Sequence, residues 1–302
     1  MSLGEARQVI PPRLASPCRS LLATRRTASR FSPAYLTMKA NRVLKALVAA
    51  AFAAVSLAAS TNSHASVVLA GTRVIYNQRE PEVTLKLSNV GQSPALVQVW
   101  IDKGDPKAMP STIEVPFTIT PPIARIDPGK GQTLRIIYTG EPLATDHESV
   151  FWLNVLEIPP RPTGDAADIN KLQLAFRSRI KLFFRPEALK ADPQQAAEQM
   201  TWRLIADHGK NALQVSNPSQ YHVSLTGAEL QDGASKATLA DGAMIAPGET
   251  ASLPLAGSVS GSAAAKVRYH VLNDYGGNVD GEAPLLQGPA PALSRMAAPA
   301  AP

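Results

Sequence analysis

The sequence predicts an all-β chain of two consecutive β-sandwich domains, and three observations carry that prediction. Apolar and polar residues alternate in short segments through most of the chain beyond residue 65. Pro, Gly, Asn and Asp punctuate those segments at turn-like intervals. No convincing amphipathic helix interrupts the first seven of them.

A leader has to be set aside first. Met38 opens a secretory signal pattern: a basic run over 38–45, an apolar run over 46–59, and Ser63-His64-Ala65 as a small-x-small cleavage site. The apolar run of 14 residues falls short of the roughly 20 that a membrane-spanning helix needs. Cleavage after Ala65 is therefore expected, with a signal peptide over 38–65 and no membrane insertion afterwards. Residues 1–37, Arg- and Ser-rich with Glu5 as their lone acid, have no place in such a signal. They fit an upstream mis-start or a non-structural leader.

The leader also accounts for the basic balance of the whole chain. Of 30 Lys and Arg and 24 Asp and Glu, nine cations and one acid lie in residues 1–65. The remaining 237 residues hold 21 cations and 23 anions, a formal net charge of −2. No nucleic-acid partner is implied. Cys18, the lone cysteine, also lies in the leader, so the exported part has no disulfide and relies on its core. Its length suits one large or two ordinary domains.

In chain order, strands are expected at 67–76, 83–89, 95–101, 115–120, 133–138 and 149–158, then one long strand over 172–186. Seven short strands at this spacing indicate an immunoglobulin-like sandwich over 66–186. Pro121-Pro122 and Pro159-Pro160 stand where strands must end or lie at an edge, and either pair can hold a cis bond. The long strand puts Leu172, Leu174, Phe176, Ser178, Ile180, Leu182 and Phe184 on one face, with Gln173, Arg177, Arg179 and Lys181 on the other. It far exceeds the usual strand of about 5–6 residues. It is either a core strand of the sandwich or a strand whose spare apolar row serves another protein. Residues 187–199, polar and Ala-rich, are the expected linker. A weaker series at 202–206, 212–216, 221–225, 251–255 and 267–272, closed by Asn273-Asp-Tyr-Gly-Gly277, makes a second, smaller sandwich over 200–283. The Pro/Ala-rich stretch 284–302 is expected to be disordered.

At this point an ordered set of motifs resembles one family. It comprises Gly71-Thr-Arg-Val-Ile-Tyr76, Thr120-Pro-Pro-Ile-Ala-Arg125, Asp146-His-Glu-Ser149 running into Phe151-Trp-Leu-Asn-Val155, and Glu157-Ile-Pro-Pro160. Arg179-Ile-Lys-Leu-Phe-Phe-Arg-Pro186, Asn217-Pro-Ser-Gln-Tyr221 and Asn273-Asp-Tyr-Gly-Gly277 complete it. The chain is similar to the PapD-like periplasmic pilus chaperones of the chaperone–usher pathway. That resemblance implies two immunoglobulin-like domains at an angle, with a cleft between them. It implies pilin subunits as partners, held by donor-strand complementation through Leu172, Leu174 and Phe176, and an outer-membrane usher as the recipient. It also implies Arg73 and Lys181 as the site for the subunit's terminal carboxylate, and Glu148, Arg185 and Asp274 as an inter-domain charge network. The short link 161–171 resembles the short F–G loop subclass, and an unloaded apolar row makes self-association an expectation.

Some positions depart from the family pattern. Phe176 is bulkier than the usual aliphatic, His147 replaces a common Arg, Asn77 stands where many relatives have Pro, and the second domain lacks a cysteine pair.

Other classes fare worse. The histidines beyond the leader are His147, His208, His222 and His270, and none falls in a HExxH pattern or accompanies a G-x-S-x-G elbow. Asp146, His147 and Glu148 are adjacent on an extended segment, so their side chains alternate and cannot converge on one substrate atom. No enzyme activity, cofactor or metal is expected, and without a Gly-rich phosphate loop no ATP is needed. The remaining alternative is an exported two-domain structural or adhesive protein. A pilin would lack its last strand, whereas here the first domain counts to seven and the long strand is internal.

Overall fold

The computed structural model describes residues 66–160, 173–207 and 209–288. The leader, the link 161–172 with Leu172, and the expected tail from 289 onward lie outside them.

The first domain packs two sheets. One runs β1 (Val67–Leu69), β3 (Val83–Asn89), β7 (Gly131–Tyr138), β5 (Phe117–Thr120). The other runs β2 (Arg73–Asn77), β9 (Phe176–Arg185), β8 (Ser149–Ile158), β4 (Ala95–Asp102), β6 (Ile123–Ile126). Period-2 alternation aims Leu87, Leu134 and Ile136 from the first sheet at Val97, Leu153 and Leu182 from the second, and all six are buried in one core.

Two strand patterns that look continuous in sequence are split between the sheets. The expected strand 67–76 breaks at Ala70-Gly71-Thr72, leaving β1 on β3 and moving β2 across to β9. Likewise the chain leaves β5 at Pro121-Pro122, where the Thr120–Pro121 bond is cis, and continues as the unanticipated β6 beside β4. Two successive prolines lack the N–H groups a ladder needs, so the pairing with β7 cannot run on.

The split of the first strand leaves a gap beside β9. On one edge β9 pairs antiparallel with β8 from Phe176 to Phe184. On its other edge β2 pairs in parallel only from Lys181, opposite Arg73, to Arg185, opposite Asn77. Residues Phe176 to Ile180 therefore keep one edge without a strand among the described residues. The strand is also shorter than the expected 172–186. Its last partner is Glu157, and Pro159-Pro160 beyond cannot donate to further pairing, so residues 173–175 are not in the ladder.

The second domain is a single eight-stranded sheet folded over its own core. Its order is β10 (Thr201–Asp207), β11 (Lys210–Ser216), β15 (Thr250–Ala256), β13 (Ser235–Leu239), β12 (Val223–Asp232), β16 (Lys266–Leu272) and β17 (Asn278–Pro284). A short β14 (Ala243–Ile245) pairs with β12. Trp202, Leu213, Leu230 and Val267 are fully buried at its centre.

Strands β13, β14 and β17 were not anticipated, because they contain few branched or aromatic residues. Other signals accompany two of them. Asp232 pairs with Ser235 across a two-residue loop that begins at Gly233 with φ +60°, a hairpin turn needing a residue without Cβ. On β17, Gly281 lies opposite Tyr269, whose ring covers it so closely that a Cβ would sit 2.2 Å from a ring carbon.

Ordered packing of the second domain reaches past both ends of 200–283. Ala196, inside the expected linker, is buried in the second core beside Met200. At the other end Leu285 is buried and its N–H donates to Ala265 O, while the Leu286 N–H donates to Trp202 O, so ordered structure passes residue 284.

Candidate functional site

The junction between the domains is built on Arg185, the last residue of β9. Its Nε donates to Glu148 Oε2 at 2.7 Å, and its two terminal nitrogens donate to Asp274 at 2.6 and 2.7 Å. Glu148 precedes β8 and is 1% exposed, while Asp274 sits in the β16–β17 turn of the second domain. The other Glu148 oxygen accepts from the His222 N–H at 3.0 Å and meets His222 Nδ1 at 2.9 Å. Burial works against the Arg185 charge, but its hydrogen bonds to Asp274 and the charge of Glu148 more than offset it. The guanidinium is held above its ordinary value. The predicted residues Glu148, Arg185 and Asp274 are thus brought together as one saturated, partly buried cluster.

Local sequence explains how the second domain presents its share. Asn217 is fully buried, and its Nδ2 donates to Tyr221 O, Ile245 O and Ala246 O while its Oδ1 accepts from Ser219. That fixes the loop so that Gln220 O receives the Glu148 N–H and His222 faces the Glu148 carboxylate. In the β16–β17 turn Gly276 adopts φ +80° and lies against Thr72, where any Cβ would be 2.2 Å from the hydroxyl oxygen. Glycine there lets the turn carrying Asp274 approach the start of β2.

Arg73 and Lys181 are register partners on parallel strands. Neither has a carboxylate partner among the described residues. Arg73 Nη1 donates to Leu272 O at 3.3 Å, its Nε is buried without a partner, and its guanidinium lies 5.6 Å from the Phe183 ring. Lys181 Nζ stands 5.4 Å from the Trp152 ring. Burial lowers the pKa of Arg73, with Asp274 and Glu148 pulling the other way. Burial and then the neighbouring Arg73 charge lower that of Lys181. Beside them a cavity of about 370 Å³ opens between the domains, lined by Arg73, Phe183 and Arg185 and, from the second domain, by His222, Leu272 and Asp274. Arg73 lines this cavity, and Lys181 is its register partner outside the lining; both cations lose solvation with no carboxylate at ion-pair distance among the described residues.

The open edge of β9 begins where this pair ends. Leu174 and Phe176 are 53% and 52% exposed, whereas Leu182 and Phe184 further along the same row are buried in the core. Leu172 lies outside the described residues.

Sequence reasoning missed several participants. Phe183, on the cation face, is buried against Arg73 and His222. Asp102 is buried at the end of β4 with Arg179 Nη2 2.6 Å from its Oδ1. One apolar residue in the cation row signalled the first, and an acid closing the alternating pattern of 95–101 signalled the second. Among the described residues no group of three or more His, Cys, Asp and Glu is placed to hold a metal ion.

Comparison with known proteins gives the family. Residues 66–190 match the model described as pili and flagellar-assembly chaperone, PapD N-terminal domain, and residues 195–283 match pili assembly chaperone PapD, C-terminal domain. The chain belongs to this family. It is 43% identical to the probable fimbrial chaperone YadV of Escherichia coli over 231 residues, 76% of this chain and 94% of that one. It is 44% identical to the chaperone protein FimB/FhaD of Bordetella pertussis over 234 residues, 76% and 92% of the two chains. The crystal structure of YadV superposes with a TM-score of 0.62, covering 73% of this chain and all of that one. The SafB chaperone of Salmonella enterica, solved in complex with the SafA pilin, is 27% identical with a TM-score of 0.61, covering 74% and 99%. This is a fimbrial chaperone of the chaperone–usher class, from a family of periplasmic chaperones, and not an enzyme.

Proposed function

We propose that this chaperone holds pilin subunits by adding the open part of β9 to a subunit that lacks its last strand. The observation that carries the reading is where the open edge stops. An incoming strand laid along Phe176 to Ile180 is collinear with β2 and has to end where β2 begins, at Arg73 and Lys181. A chain that must end there brings a terminal carboxylate, and the two uncompensated cations supply its counter-charge. Ladder hydrogen bonds then satisfy the subunit's unpaired edge, while Leu174, Phe176 and, before them, Leu172 fill its apolar groove. The pilin-bound relative SafB supports the same partner class for this chain.

The signal 38–65 directs export to the periplasm and is then cleaved, residues 66–186 and 200–283 act as the two domains, and an outer-membrane usher receives the loaded subunit. The short link 161–171 supports the short-loop subclass, and the unloaded β9 edge favours reversible self-association. The test is co-purification of a co-produced pilin from periplasm with wild type and with Arg73→Ala. A stoichiometric complex that disappears in the variant is the expected result. Equal recovery with the variant would overturn the anchoring role.

A further inference from the structure

Outward cations recur at every second residue of β9: Arg177, Arg179 and Lys181. Alternation penalises a one-residue slip of an added strand, because every side chain changes face. A slip of two restores every face. Moved two residues along, about 7 Å, a terminal carboxylate would meet Arg179 instead of Lys181, and nothing in the apolar row forbids it.

The obstacle lies two strands away. Asp102, 1% exposed, accepts at Oδ1 from Arg179 Nη2 and from the Gly104 N–H, both at 2.6 Å, and at Oδ2 from Asn154 Nδ2 at 2.8 Å. The Arg179 guanidinium carbon also stands 4.2 Å from the Trp152 ring centre. Arg179, with its side chain 18% exposed, is thus neutralised and held. Arg177 is exposed and donates to Pro106 O at 2.8 Å, where water and salt screen its charge. Reaching it takes a four-residue slip, which leaves almost none of the open edge paired.

We propose that Asp102 selects the register of the captured strand. By occupying Arg179 it leaves Arg73 and Lys181 as the cation pair without a carboxylate partner on this face among the described residues. It thereby decides which subunit side chains fall opposite Leu174 and Phe176. The inference rests on the reading that Arg73 and Lys181 receive the terminal carboxylate.

The experiment uses a co-produced pilin that the wild-type chaperone captures. In two versions of this pilin a single cysteine sits at last-strand positions two residues apart. The chaperone carries Ser178→Cys, and since its exported part has no cysteine, the disulfide formed reports the register. Lys181→Ala alone is expected to lose capture. Adding Asp102→Asn frees Arg179, and capture is expected to return to at least about a tenth of the wild-type yield, trapped through the displaced cysteine. Adding Arg179→Gln to that pair should abolish it again. Absence of capture by a Lys181→Ala, Asp102→Asn protein that melts like wild type overturns the inference, as does capture in the original register. If Asp102→Asn does not fold, Asp102→Glu in the Lys181→Ala background keeps the lock, so capture must stay lost and its return overturns the inference. Full capture by Lys181→Ala alone would instead overturn the anchoring reading beneath it.

Discussion

Arg185 and Lys181 stand four residues apart on the same face of β9 and meet opposite environments. Arg185 makes three hydrogen bonds to two carboxylates, one of them almost fully buried, and its charge is stabilised above the ordinary value. Lys181 stands near the Trp152 ring and the Arg73 cation, with no carboxylate ion pair among the described residues, and its charge is disfavoured. Fold stability accounts for the first arrangement and not for the second. A cation buried with its counter-ions is part of the architecture, while one buried without them is what the proposed carboxylate site requires.

The contrast can be broken at Arg185 first. Arg185→Met leaves Glu148 buried without its cation, and unfolding by urea should show a loss of about 3–5 kcal/mol. A loss below about 1 kcal/mol would mean the cluster is as weak as an exposed ion pair. Next comes the open half of β9. Phe176→Ser removes a large apolar group that is half exposed, so the melt should move little, while subunit affinity should fall by about 1.5–3 kcal/mol, on the order of tenfold to a hundredfold. Equal losses in melt and affinity would show Phe176 to be core and not donor.

Gly276→Ala probes the turn that delivers Asp274. Forcing a Cβ into φ +80° against Thr72 should cost about 1–3 kcal/mol of stability. A neutral outcome would show that the turn can relax away from β2.

The smallest effect concerns pH. The lowered Lys181 pKa means the folded state releases its proton below the ordinary value of 10.5, where the unfolded chain still holds it. Stability linked to Lys181 therefore rises with pH through that alkaline window. Subunit affinity should fall over the same window, because the carboxylate needs the charged form. Urea unfolding between neutral and alkaline pH should show the stability slope reduced in Lys181→Met, and isothermal titration of wild type with subunit should show the fall in affinity.

Much of this was legible in the sequence because short motifs carried it. Glu148, Arg185 and Asp274 come from three separate motifs and converge as expected, since each motif fixes a local turn or strand end. The alternation over 172–186 correctly separated the apolar row from the cations, but it could not show where pairing stops. That limit is set by Pro159-Pro160 on the neighbouring strand and by β2 arriving at Lys181. The split at Gly71 was equally hidden, because both halves of 67–76 keep one alternation while they pair with different sheets. Asp102 reaches Arg179 across β8, a neighbour relation created by sheet order that no local pattern announces. In the second domain Gly281 and the Asp232-Gly233 turn marked strands that branched-residue counts overlooked.

On the proposed function, Lys181 is held at a cost to the fold for the sake of a ligand. The unfolding free energy of Lys181→Met, measured beside its capture of a co-produced pilin, tests this. Stability equal to or above wild type, together with lost capture, is expected. A variant destabilised as much as Arg185→Met, or one that captures pilin normally, would contradict it.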